Sequence, residues 1–343
     1  EIYTLSLHDA LPIWSAALIF FRRCGAMKIV VLGSGAMGCV YGGKLAEAGY
    51  EVTLVDIWKE HIDAIKQNGL HIEGVGGERK ITSVNAVTSP SEAGKADLVI
   101  VFVKATMTEE AVAGAKDIFQ ENSIVLTLQN GLGNIEAIGR HVNPNQIMAG
   151  VSGHGATLLG PGKVRHAGAG YTALGEISGV LTKRLEELGA LFRRGGFEPV
   201  ILSENVTGLI WSKLMANIAI NAVTAITGIK NGQILDFSGA YEISTGAVLE
   251  AAAVAQKKGI RLNGDPVQQA LRVIKDTVEN RSSMLQDVSR HKQTEIRVIN
   301  KAIVQEAESL GLSAPINKVL SGLVETIADR SEERRVGKEC RSR

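Results

Sequence analysis

The sequence predicts an α/β protein in two parts, a mostly parallel sheet flanked by helices and then an all-helical unit. Three observations carry that expectation. A strand–glycine–helix–strand unit begins at Lys28, two further buried-strand runs are each followed by helix-like sequence, and the pattern changes after about residue 202 to long helical periodicity.

The stretch MKIVVLGSGAMGCVYGGKLAEAGYEVTLVD opens with an apolar run, Lys28 to Leu32, that reads as a strand. A glycine cluster follows, then a helical stretch to Ala48, a stop at Gly49 and a second strand-like run ending at Asp56. Gly33, Gly35 and Gly38 spell G-x-G-x-x-G, with Ser34, Ala36 and Met37 between them. At a strand-to-helix junction, such small residues let backbone amides approach a pyrophosphate, and the helix dipole favours its charge. An acidic residue about 20 positions on, closing the next strand, completes the fingerprint of a Rossmann-type dinucleotide-binding domain. A carboxylate at Asp56 bonds the two ribose hydroxyls of NAD and repels the 2′-phosphate of NADP, so the residue type favours NAD(H). The same side chain also suits the cap of a helix beginning near Trp58.

Further along, LHIEGVGGERKITSV reads as a hairpin. ADLVIVFVKATMTEEAV gives a buried strand ending at Lys104, and SIVLTLQNGLGNIEAI repeats the arrangement with Asn130 and Gly131 at the strand's end. Ligands in such sheets sit beyond the carboxyl ends of the strands, so Lys104 and Asn130 point at the expected cleft, although either is equally readable as a solvated loop residue. The glycine-rich VSGHGATLLGPGKVRHAGAGYTALGE reads as short strands and turns. His154 and His166 lie within it without metal-ligand spacing, and no metal site is expected.

Helical patterns then run at roughly 204–226, 238–258, 265–279 and 284–310, with no internal repeat. Residues 27–202 are thus expected to form the dinucleotide domain and 203–329 the helical substrate domain. Within WSKLMANIAINAVTAIT, Lys213, Asn217 and Asn221 follow one another at four-residue steps. They share one face of an otherwise apolar helix, so this polar stripe either snorkels to water or lines a cavity. A sheet followed by a helical unit holds its substrate at the junction. Reducing a carbonyl by hydride leaves an alkoxide that a nearby ammonium stabilises and protonates, a role that fits Lys213. Partial burial would lower its pKa, and a neighbouring carboxylate would keep it charged.

Both ends stand apart from this pattern. The first thirteen residues, EIYTLSLHDALPI, and the last fourteen, RSEERRVGKECRSR, can be back-translated as reverse complements, which resembles adapter read-through. Residues 1–26 and 330–343 are therefore expected to be non-native; the rival for Ile13 to Phe21, a signal peptide, has its arginines on the wrong side. Without the ends the formal net charge of +1 becomes −2, and nothing argues for nucleic acid or an anionic membrane as partner. Cys39 is then alone, which fits a reducing cytoplasm, and no apolar stretch is long and uninterrupted enough to span a bilayer.

GSGAMG, QNGLG, WSKLMANIAINAVTAIT, NGQ at 231–233 and ENRSSMLQDVSRHKQTEI together resemble the ketopantoate reductase (2-dehydropantoate 2-reductase) family, over essentially all of Met27 to Asp329. The resemblance implies reduction of 2-dehydropantoate to (R)-pantoate for pantothenate and coenzyme A synthesis, with NADP(H) as the family's usual cofactor. It implies Lys213 as the proton donor and Glu295 as a glutamate near Lys213 and the nicotinamide. It places Asn217 and Asn221 along the substrate, with Asn231, Asn280 and Ser283 gripping its carboxylate and hydroxyl. Asn130, Ala156 and Lys104 match positions contacting the cofactor. Asp56-Ile57 departs from the pattern, since NADPH-using members commonly carry a base there; NAD(H) is the expectation from the residue and NADP(H) from the resemblance. The rivals are a reductase of another branched 2-oxo acid and a non-catalytic dinucleotide sensor, against which Lys213 and Glu295 stand. Asn280 and Ser283 are also readable as capping residues, and Glu295 as a surface partner of Lys292. Monomer and homodimer are both open.

Overall fold

The computed structural model describes residues 27–339; of the stretches expected to be non-native, 1–26 and 340–343 lie outside the described residues, whereas 330–339 are described and helical. Twelve described strands build two sheets. They are β1 (Lys28–Leu32), β2 (Glu51–Val55), β3 (Leu70–Gly74), β4 (Arg79–Ile81), β5 (Val84–Val87), β6 (Leu98–Val101), β7 (Ile124–Thr127), β8 (Ile147–Ser152), β9 (Gly155–Gly160), β10 (Lys163–Gly168), β11 (Thr172–Glu176) and β12 (Val200–Leu202). Eight of them form the main sheet in the order β12-β11-β8-β7-β6-β1-β2-β5, parallel except where β11 meets β8.

The central strands are continuous apolar runs because both of their faces are buried. In β1, Ile29 and Val31 enter one core, while Val30 and Leu32 enter the other. In β6, Leu98 and Ile100 alternate with Val99 and Val101 in the same way. Helices α1 (Ala36–Glu47), α2 (Lys59–Asn68), α3 (Thr108–Ala113), α4 (Asn134–Gly139) and α5 (Lys183–Arg194) connect these strands. From β1 the chain runs outward to β2 and β5, then crosses back to β6, β7 and β8. The order therefore reverses between β1 and β6, and the crevice for a ligand opens at the carboxyl ends there.

The expected hairpin is β3 and β4, but Val84 starts β5 at the edge of the main sheet. A second sheet, β4-β3-β10-β9, packs its apolar residues Leu70, Ile72, Ile81 and Val164 into the core that holds Tyr41 and Leu45 of α1.

The helical half comprises α6 (Val206–Thr227), α7 (Ser238–Lys257), α8 (Pro266–Asp276), α9 (Ser283–Ser289), α10 (Asn300–Ser309) and α11 (Pro315–Glu339), which runs past Asp329. Its core is built around α6, with Trp211, Met215, Ile218 and Val223 packing against Val248, Ile274 and Ile303. By length and composition α6 is the one helix, among the described residues, apolar enough to cross a bilayer, despite the interrupting polar stripe; most of it is buried by its neighbours.

One expected helix is not continuous. The 284–310 pattern breaks into α9, an irregular turn, a 3-10 turn at Ile296–Val298 and α10. The break has local causes: His291 takes a left-handed φ of 53°, and the Lys292 amide turns back to the Asp287 carbonyl at 2.8 Å. Helical periodicity in 290–295 gives way to a chain reversal that leaves Glu295 outside any helix.

Candidate active site

The glycine loop follows β1. Gly33 has φ +93°, and a Cβ there would lie 2.4 Å from the Val103 amide nitrogen; a Cβ at Gly38 would lie 2.0 Å from the Gly33 carbonyl oxygen. These two glycines let strand, loop and helix close on one another. Gly35 differs, because its Cβ would enter open space with no atom within 4 Å. It is the N-cap of α1, and no side chain caps that end. Small loop residues, an uncapped helix N-terminus and open room at Gly35 fit a dinucleotide's pyrophosphate.

Asp56, at the end of β2, accepts the Ser34 amide at 2.9 Å through one oxygen and the Trp58 amide at 3.1 Å through the other. The carboxylate is thereby fixed beside the loop; its bond to the Trp58 amide closes a turn ahead of α2, whose N-terminus has no side-chain cap, so the helix-capping alternative is not met. The nearest following base, Lys59, pairs with Asp63, and Ile57 between them is 84% exposed. Ala156 lies on β9 opposite His166, partly buried against the same core as Met37.

Lys104 and Asn130 follow β6 and β7, and Ser152 ends β8, so three adjacent strands deliver groups to one edge. From the helical half, Lys213 Nζ donates to the Ser152 carbonyl at 2.7 Å. Asn130 Nδ2 donates to Glu295 Oε2 at 3.3 Å, and Lys104 donates to Asp287 Oδ2 at 2.9 Å. Burial takes the Lys213 ammonium down to about 8, with the Glu295 carboxylate opposing it. At Lys104 burial also lowers the pKa, but Glu295 and Asp287 together outweigh it and raise the group. The Glu295 charge is thus felt by two lysines, one from each half of the molecule, and Lys292 is not its partner.

Asn217 and Asn221 continue the face of α6 that carries Lys213, and neither side chain has a protein hydrogen bond among the described residues. Asn221 is nevertheless buried. Beyond them, Thr224 bonds Ser282 at 2.7 Å. Ser282, not Ser283 or Asn280, caps α9 by accepting the Leu285 amide. The capping alternative is therefore met by a neighbour, and Ser283 and Asn280 are exposed. Asn231 donates to Thr277 Oγ1 at 3.0 Å and to the Asn280 carbonyl through its amide, leaving a buried Oδ1 with no protein partner among the described residues.

Lys104, Asn130, Lys213 and Glu295 thus come together directly. Asn231, Asn280 and Ser283 form a second group near the other end of the stripe, since Thr224 lies about 16 Å along α6 from Lys213. No hydrogen bond or ion pair joins the two groups among the described residues. Their link is α9, where Ser283 precedes Asp287 by one turn on the same face and Asp287 reaches Lys104. An apolar groove of about 630 Å³ between α6, α7 and α11 holds none of these residues.

Asp287 and Ser152 are absent from the sequence-derived set. The four-residue step from Ser283 in SSMLQD marks Asp287 as sharing its face. Ser152 contributes a backbone oxygen, for which no residue type is a signal.

Comparison with known proteins agrees with this layout. Residues 29–179 match the family described as ketopantoate reductase PanE/ApbA, and residues 205–328 match its C-terminal part. The 2-dehydropantoate 2-reductase of Pyrococcus horikoshii is 38% identical over 302 residues, 87% of this chain and 96% of that protein. That of Halobacterium salinarum is 34% identical over 298 residues, 87% of this chain and 98% of that protein. A PanE/ApbA family ketopantoate reductase from Ralstonia eutropha superposes with a TM-score of 0.82 at 35% identity, covering 89% of this chain and all of the other. D-mandelate dehydrogenase, in a ternary structure with NADH and anilino(oxo)acetate, superposes with a TM-score of 0.83 at 28% identity, covering 89% and 99% of the two chains. A sheet that ends in a glycine loop, a helical half that brings a lysine to that sheet's edge, and matches along both halves lead to one assignment: the chain belongs to the ketopantoate reductase family.

Proposed function

We propose that this protein reduces 2-dehydropantoate to (R)-pantoate in the cytoplasm, with a nicotinamide dinucleotide as hydride donor and Lys213 as proton donor. The supporting observation is the lysine itself: an ammonium on a largely buried helix, held by the Ser152 carbonyl and the charge of Glu295, beside the strand ends where the glycine loop lies. The dinucleotide supplies a hydride to the substrate's 2-oxo carbon when bound. The loop Gly33-Ser34-Gly35-Ala36-Met37-Gly38, Asp56, Lys104, Asn130 and Ala156 would hold that cofactor, and Asn217, Asn221, Asn231, Asn280 and Ser283 the substrate.

Lys213 stabilises the developing oxygen charge and delivers its proton to it; Glu295 keeps the ammonium charged until then. A depressed pKa helps, because a proton leaves such an ammonium more readily than one in water. The sign of the pH dependence follows. Reduction needs Lys213 protonated, so kcat in that direction holds below about pH 8 and falls roughly tenfold per unit above it, while oxidation of pantoate gains with rising pH. Glu295→Gln removes the opposing carboxylate and moves the basic limb down by about one unit. A pH profile of each enzyme in both directions checks this, and a limb unmoved by Glu295→Gln would separate that carboxylate from the lysine.

For the cofactor, Asp56 beside the loop and Lys59 already paired with Asp63 favour NADH over NADPH. The deciding assay is steady-state turnover of 2-dehydropantoate with each donor. A strong kinetic preference for NADPH would show the Asp56 carboxylate has no say in the choice. The same assay with 2-oxoisovalerate addresses a second reading, reduction of another 2-oxo acid, which is favoured by the likeness to D-mandelate dehydrogenase. Faster turnover of 2-oxoisovalerate would move the assignment there.

A further inference from the structure

Behind the Ser152 carbonyl lies a buried polar cluster that no step above uses. Tyr41, on α1, donates its hydroxyl to Ser152 Oγ at 2.9 Å and lies 2.9 Å from Thr172 Oγ1 on β11. The His154 amide donates to the same Ser152 Oγ at 3.2 Å. Ser152 and Thr172 are register partners across β8 and β11, and both are buried. The phenol ring has no room to swing: it stacks on Phe197 with centroids 4.1 Å apart, and Phe102, Phe192 and His154 close around it. Burial pushes its hydroxyl up to about 12, so it remains a donor across the working range. Ser152 Oγ therefore receives one donor from α1 and one from the turn that follows β8, which fixes the last residue of β8 and the direction of its carbonyl.

We propose that Tyr41 is a positioning residue for Lys213, acting through Ser152: its hydroxyl ties the helix that opens at the glycine loop to the peptide whose oxygen holds the ammonium. The inference rests on Lys213 being the proton donor. A buried hydroxyl among aromatic rings is costly unless it is bonded, and phenylalanine would fill the same space without it. The helix that meets the pyrophosphate and the group that delivers the proton are then parts of one rigid connection, α1 to β8 to α6.

The charges around Lys213 come from Glu295 directly and from Lys104 and Asp287 beyond it. On the sheet side the titratable groups are Tyr41 and His154, the latter pushed down to about 4 by burial, with His166 and Lys44 adding to it. Both are neutral near pH 8, so a change in the basic limb reports the lysine and its acceptor rather than a new titration behind Ser152.

The test is Tyr41→Phe. Its expected kcat for reduction is about 3- to 10-fold lower, with an unchanged KM for NADH and a basic limb moved to lower pH, because a loosened acceptor favours the charged lysine less. Ser152→Ala removes the same bond from the other side, together with the one from the His154 amide, and keeps the carbonyl, so it shifts the limb in the same direction and at least as far. The double variant is no worse than the poorer single one, as for two ends of one interaction. A wild-type kcat and basic limb in Tyr41→Phe, whatever its Tm, overturns the inference, as do fully additive losses. Should Tyr41→Phe fail to fold, Ser152→Ala decides by the same limb. Lys213→Ala assayed alongside distinguishes the two levels: retained turnover there removes the proton donor and the inference together, whereas lost turnover with an unmoved limb in Tyr41→Phe removes only the role of Tyr41.

Discussion

Lys213→Ala lowers turnover of the 2-oxo acid by about 100-fold or more, while the dinucleotide still binds. The two halves of that expectation have separate origins. The alkoxide formed by hydride arrival has no comparable cation once the ammonium is gone: Lys104 is engaged with Asp287, and Glu295 carries the wrong sign. In the proposed site the dinucleotide is held chiefly by the glycine loop and Asp56, which lie on the other half of the molecule and share no hydrogen bond with Lys213 among the described residues. The side chain's own fold role is small, since its polar bond goes to a single carbonyl and the helix core is formed by Trp211, Met215 and Ile218. Single-turnover reduction combined with fluorescence titration of NADH separates the two effects. Undiminished turnover would remove Lys213 as the acid, and a lost titration with lost turnover would point to misfolding instead. Lys213→Arg is expected to restore little, because an always-charged guanidinium gives up no proton near neutral pH.

Gly38→Ala abolishes measurable dinucleotide binding and lowers Tm by about 5 °C or more, whereas Gly35→Ala leaves Tm unchanged and raises KM for the dinucleotide about tenfold. Both are additions of one methyl group within the same loop, and the difference is entirely in what that methyl meets. At Gly38 it would lie 2.0 Å from the Gly33 carbonyl oxygen, whose peptide is held by the Ser34 amide's bond to Asp56, so neither partner can yield without moving β1 or α1. At Gly35 it enters space that is open in the protein; with the pyrophosphate in the proposed site, the cost appears only on binding. Thermal melts with and without NADH, together with donor KM values, read both. Equal loss of Tm in the two variants would show that the loop tolerates neither for reasons of fold, and a normal KM in Gly35→Ala would place the pyrophosphate elsewhere.

Much of this molecule was legible in one dimension. Strand β1 buries alternate residues on two faces, so its composition had to be continuously apolar, and the run from Lys28 to Leu32 shows that directly. The stripe Lys213-Asn217-Asn221 was legible for the same reason, because a four-residue step on a helix is a statement about one face. The separation of sheet and helices, the glycine loop with its acidic follower, and the lysine with its two asparagines are all properties of short-range spacing. Local sterics and backbone periodicity determine them before any distant contact forms.

Other features depended on residues far apart in the chain. Glu295 acts on Lys213 because the pattern of 284–310 breaks at His291, a reversal that periodicity reads as a helix. Ser152 serves through its backbone oxygen, and 61 positions separate it from the lysine it holds. Asp287 finds Lys104 across 183 positions, and Ser282 displaces Ser283 as the cap because Thr224 of a neighbouring helix bonds it. Charge, pKa and orientation at this site arise from how the halves pack, since an ammonium's environment is the sum of whatever is brought within a few ångströms of it. The sequence determined which groups were available and on which faces they stand; packing alone decided which of them meet.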